Sequence, residues 1–60
     1  MLNLSPRQIQ MSNLVCKGYT YKQVAYKLAI SESTVKNMMH DAHRRLGVNN
    51  NVQMAVKLLT

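Results

Sequence analysis

Ser33, Lys36, Asn37, His40 and Arg44 follow one another at spacings of three, one, three and four residues. On a helix that spacing gathers side chains on one face. A hydroxyl, an ammonium, an amide, an imidazole and a guanidinium in a row make a hydrogen-bonding surface. Such a set fits the edges of nucleic-acid bases. Lys36 suits the O6 and N7 acceptors of guanine, and Asn37 can pair both ends of its amide with adenine. His40 donates or accepts according to its protonation. Ser33 stands at the head of the row. Arg44, further along, suits a phosphate. The plain alternative is a solvated helix face. Asp41 lies in the same stretch and counts against dense phosphate contact, because like charges repel.

Other chemistry finds fewer residues to use. Glu32 and Asp41 are the two carboxylates of the chain, and a helix start accounts for Glu32. His40 and His43 stand three apart, but no neighbouring Cys, Asp or Glu completes a tetrahedral metal site. Cys16 is the single cysteine, without an evident base, so neither a disulfide framework nor a metal set is indicated. There is no glycine-rich phosphate loop. These readings predict no enzyme, no metal and no cofactor. Eight Lys and Arg against two Asp and Glu give a formal charge of +6. That balance predicts attraction to a polyanion, with nucleic acid ahead of a membrane surface. The lone cysteine fits the cytoplasm. No apolar run is long enough to span a bilayer. The opening MLNLSPRQ lacks the basic-then-apolar layout of a signal peptide.

Sixty residues make one domain, residues 1–60, with 1–4 as an N-terminal arm. A chain this short buries only about 60% of its unfolded surface, so a partner chain would help it. With two glycines, one proline and no alternating pattern, the expected class is all-α. Four helices are predicted, over 6–17, 21–28, 32–46 and 51–59. Ser5 caps the first, with Pro6 at its first position and Gln8 closing an S-x-x-Q box. Thr20 and Gln23 repeat that pattern for the second. Ser31 caps the third and Asn50 the fourth. Gly18 and Gly47 are placed to end the first and third. Leu4 with Ile9, Tyr19 with Val24 and Ile30 with Val35 fit hydrophobic staples.

The middle of the chain, Tyr21 to Leu46, reads as two helices about a tight turn at Ile30 and Ser31, the helix-turn-helix pattern. Ala25 and Ala29 are expected where the two helices approach closely. Val35, Met38, Met39, Ala42 and Leu46 form the buried stripe of the third helix. That stripe turns the row of Ser33, Lys36, Asn37, His40 and Arg44 outward. Phosphate contacts are expected from Tyr21 and Lys22 at the second helix start and from Thr34 and free backbone N–H groups at the third. For Tyr21, a partly packed ring with a wet hydroxyl is an equal alternative. The fourth helix is apolar on two sides, Val52, Ala55, Val56 and Leu59 against Met54 and Leu58. A helix of that kind needs a second surface to bury against.

LSPRQ, VCKGYTYKQVAYKLAISESTVKNMMHDAHRRLGV and the Ala55 region together resemble the LuxR-type (GerE/FixJ/NarL-like) helix-turn-helix domain. The resemblance runs from Leu4 to about Leu59. The matching marks are Leu4-Ser5-Pro6-Arg7, Gly18, Lys22 with Val24-Ala25, Leu28 to Val35-Lys36, and Leu46-Gly47-Val48. It implies a four-helix, sequence-specific, DNA-binding transcription regulator. The third helix would enter the major groove of double-stranded DNA. A homodimer would form through the fourth, for which Val52, Met54, Ala55 and Leu58 are the expected interface. A cytoplasmic bacterial protein, held at the nucleoid when bound, goes with that reading. A small interaction module that pairs with a larger LuxR-type regulator is the alternative. The departures from the family pattern are Gln8 and Gln10 where acids are frequent and Ser12 where an apolar residue is usual. Others are Met38 for a frequent histidine, His40 for a frequent basic residue, and Asn49 and Asn51 for usual basic ones.

Overall fold

The computed structural model describes residues 3–59. Four helices follow one another, α1 (Pro6–Cys16), α2 (Tyr21–Leu28), α3 (Glu32–Leu46) and α4 (Asn51–Leu59). The all-α expectation holds, and every predicted boundary is met within one residue: α1 ends at Cys16, with Lys17 as its cap.

Each start is written in local side chains. Ser5 Oγ accepts from the Gln8 N–H at 3.2 Å, and Gln8 Oε1 accepts from the Ser5 N–H at 3.0 Å. Thr20 and Gln23 form the same reciprocal pair. Ser31 Oγ takes the Thr34 N–H at 3.1 Å, and Asn50 Oδ1 takes the Gln53 N–H at 2.8 Å. These bonds satisfy donors that the first turn of a helix would otherwise leave open.

The first three helices end alike. Tyr19 N–H reaches back to Leu14 O and Gly18 N–H to Val15 O. Ile30 N–H reaches Ala25 O, with Ala29 N–H on Tyr26 O. Val48 N–H reaches His43 O, with Gly47 N–H on Arg44 O. Each is the paired bond pattern of a Schellman close. Each puts an apolar residue, Tyr19, Ile30 or Val48, against the core. The left-handed residue is glycine at 18 and 47, but alanine at 29, with φ 57°.

Ala29 therefore corrects one expectation. It is exposed and makes the turn, whereas Ala25 is buried between helices as predicted. A left-handed conformation costs a non-glycine residue roughly 1–2 kcal/mol. Glycine gives back about 0.4–1 kcal/mol through its freer unfolded chain. Ala29→Gly is expected to stabilise the domain by about 0.5–1 kcal/mol, a rise in Tm of roughly 4 °C in thermal unfolding. A fall in Tm would show that the turn carries no strain to relieve.

The core gathers Met11 from α1, Val24 and Ala25 from α2, Val35, Met39 and Leu46 from α3, and Met54 from α4. α1 and α3 each pack against the other three helices, and α2 and α4 meet where Tyr21 reaches Asn51 at their starts. Leu4, Leu14, Val15, Leu28 and Met38 are half-buried around that cluster, whereas Ile9 is exposed. Ser12, polar where an apolar residue is usual, is fully buried and donates to Met54 Sδ at 3.6 Å.

That contact corrects the expected interface on α4. Met54 has no exposed surface, and Leu58 is half-buried against the core. Met54 therefore has no surface to offer a partner. Ala55 is half-buried at the boundary. The outward residues are Val52, Val56 and Leu59, 75%, 58% and 84% exposed. The periodicity marked two faces, and the neighbouring α1 decides which turns in.

Candidate nucleic-acid interface

At 3.6 residues per turn, Val35, Met39, Ala42 and Leu46 fall on one side of α3, and all four are buried. Ser33, Lys36, Asn37, His40 and Arg44 fall on the other, and all five are exposed. The predicted row is thus a continuous polar surface on a helix whose opposite side is locked into the core. Its first turn carries Glu32, and its last turn carries His43, Arg44 and Arg45, each sign at the end the helix dipole favours.

The expected phosphate contacts separate into two kinds. Lys22 and Thr34 are exposed at the starts of α2 and α3. Thr34 Oγ1 lies 2.8 Å from Ser31 Oγ. Tyr21 is half-buried, with its ring against the core, and its hydroxyl donates to Asn51 Oδ1 at 3.4 Å. A phosphate oxygen only accepts, so this hydroxyl serves a phosphate only by leaving Asn51. Tyr26 and Lys27 lie on the solvent side of α2 as predicted, with Lys27 Nζ 5.0 Å above the Tyr19 ring.

Asn51 is a junction that sequence reasoning left out. Its Oδ1 also takes His43 Nε2 at 2.7 Å. An amide oxygen only accepts, so Nε2 carries the hydrogen there. One atom thereby joins the start of α2, the end of α3 and the start of α4. His43 is accounted for by this bond, and among the described residues no group of His, Cys, Asp and Glu could hold a metal ion. Cys16 is exposed. Partial cover of its thiol raises its pKa, which leaves it protonated and a poor nucleophile at neutral pH.

Asp41 also differs from its expected role. Its carboxylate is engaged within the domain, by Gln8 of α1 and by the last turn of α3. Oδ2 accepts from Gln8 Nε2 at 2.8 Å and from Arg45 Nε at 2.6 Å, and Oδ1 lies 3.6 Å from Arg44 Nη2. The Gln8 hydrogen bond, then that of Arg45, lowers its pKa, so it stays ionised. Gln8 and Arg45 compensate most of its charge within the domain; the exposed Arg44 lies 3.6 Å from it, so a phosphate contact by Arg44 competes with this pair. Arg45 Nη1 also donates to Asn3 O at 3.5 Å, which ties Asn3 to α3.

Two capped helices about a tight turn, with the polar row on the second, form a helix-turn-helix. The model of the GerE family, described as bacterial regulatory proteins of the luxR family, matches residues 2–58. The chain belongs to the luxR family. It is a helix-turn-helix DNA-binding domain of that family. The relatives it resembles include a response regulator, a transcriptional activator and a spore germination protein. Over 55 residues it is 44% identical to the two-component response regulator PprB of Pseudomonas aeruginosa, which covers 92% of this chain and 20% of that protein. Over 56 residues it is 43% identical to the transcriptional activator protein CarR of Pectobacterium carotovorum, 93% of this chain and 23% of that one. The spore germination protein GerE of Bacillus subtilis is 38% identical over 56 residues, 93% of this chain and 76% of that one. The luxR-family chain described here spans about a fifth of the length of the first two. No solved structure matches it at a comparable level of significance. Among the described residues no helix is long and apolar enough to cross a membrane.

Proposed function

We propose that the domain is a sequence-specific transcription regulator that reads the major groove of double-stranded DNA with α3. The observation that carries this reading is the exposed row of Ser33, Lys36, Asn37 and His40 on a helix fixed from behind by four buried residues. These four contact base edges. Lys22, Thr34 and Arg44 contact phosphates. Tyr21 reaches one only by giving up Asn51. The test is substitution with a selected duplex as probe. Lys36→Ala or Asn37→Ala is expected to cost roughly 1–3 kcal/mol on the preferred site and to relax base choice at one position. An equal loss on every duplex would make them phosphate contacts instead.

Two copies pair through α4, on Val52, Val56 and Leu59 with Ala55 at the edge. The support is the exposure of those three large apolar side chains on one short helix. The same surface supports the second reading, a module that pairs with a larger LuxR-type regulator and modifies its DNA binding. Light scattering on the purified domain, with and without duplex, separates the two. A pair that binds DNA alone is the expected result. A single copy that binds only in a mixed complex would favour the second reading. Either role places the protein in the cytoplasm, at the nucleoid when bound.

A further inference from the structure

Apolar packing holds α3 in place but sets its rotation against α1 less sharply than a hydrogen bond does. The three largest fully buried side chains of the core are Met11, Met39 and Met54. Apolar burial has no direction, and an unbranched methionine fills gaps of several shapes. Hydrogen bonds to base edges, by contrast, weaken steeply when misaligned. Reading needs a contact that fixes the helix in both rotation and translation.

Gln8 is such a contact. It sits on α1 at 4% exposure. While its Oε1 closes the capping box, its Nε2 donates to two places on α3, Met38 O at 3.2 Å and Asp41 Oδ2 at 2.8 Å. The backbone contact restrains sliding, and the side-chain contact restrains turning. Both fall in the turn that carries Asn37 and His40. Asp41 extends the hold to Arg45 and Arg44. A capping role uses only Oε1, and a carboxylate would serve it equally. The two donations from Nε2 are left over by that role.

We propose that Gln8 is a positioning residue for base recognition: through Met38 O and Asp41 it sets the angle at which Lys36, Asn37 and His40 meet the groove, and with it the preferred sequence. This rests on the DNA-reading role of α3 proposed above. Gln8→Glu keeps the size and the capping acceptor. It removes both donors and sets a carboxylate against Asp41. The double variant Gln8→Glu/Asp41→Asn restores the contact at position 41 with its direction reversed, but not the one to Met38 O.

The probes are the duplex that the wild-type domain selects from a random pool and a scrambled duplex of the same composition. Circular dichroism confirms that each variant is folded at the working temperature. Gln8→Glu is expected to lower the ratio of the two affinities about 10-fold, with little change on the scrambled duplex. The double variant should recover the ratio to within about 3-fold of wild type. A folded Gln8→Glu domain with an unchanged ratio, or with equal losses on both duplexes, overturns the proposal and leaves the reading role of α3 intact. Should Gln8→Glu not fold, Asp41→Ala, which spares the capping box, must show the same loss of ratio, and an unchanged ratio there is equally decisive. A wild-type domain without any preference overturns the reading role and this inference together.

Discussion

Met39→Ala is expected to remove most of the stability of the domain. Met39 is fully buried at the centre of α3, in one cluster with Met11 and Met54. Truncating a buried methionine costs about 2–5 kcal/mol, the transfer term plus the cavity left behind. A domain of this length has roughly 3–9 kcal/mol to lose, at about 0.05–0.15 kcal/mol per residue. Thermal unfolding followed by circular dichroism should show Tm lower by more than about 10 °C. Met39→Leu, which nearly conserves volume, should cost less than about 1.5 kcal/mol. A drop of under about 4 °C for the alanine variant would mean that the neighbouring methionines close over the gap.

Binding to DNA is expected to weaken steeply with salt. Each cation placed on a phosphate releases condensed counterions, so the logarithm of affinity falls by about 0.9 per contact for each logarithmic unit of salt. On the proposed reading, Lys22 and Arg44 supply two such cations in each domain. A pair of domains on one site would make about four contacts. Raising salt from about 50 to 200 mM should then weaken binding roughly 100-fold, against roughly 10-fold for a single domain. The slope from a fluorescence titration thus reports charge neutralisation and pairing at once. Binding indifferent to salt would remove the phosphate contacts from the proposal.

Helix starts were legible because their signals are local. Ser5 with Gln8, Thr20 with Gln23, and Ser31 and Asn50 cap within three residues of themselves. Gly18 and Gly47 marked two of the stops in the same way. Ala29 gave no such signal, since nothing in an alanine advertises a positive φ. The exposed row on α3 was legible because its buried complement has a clear period. The inward face of α4 was not, because Met54 and Val52 are both apolar, and the choice depends on Ser12, 42 residues away. The cross-helix bonds of Gln8 and Asn51 were hidden for the same reason. Each has a local position that already explains a polar residue, and partners 8 to 33 residues distant do the rest.

The three matching helix ends have a kinetic consequence. Each helix from α1 to α3 is closed at both ends by bonds spanning only a few residues. Each can stop fraying before it meets a neighbour. The connections between them are short, so bringing helices together demands little loop ordering. A chain whose contacts are mostly local in sequence reaches its transition state quickly, on the microsecond-to-millisecond scale of small helical domains. As it emerges from the ribosome, a domain assembled this way leaves little time for its apolar fourth helix to meet a stranger.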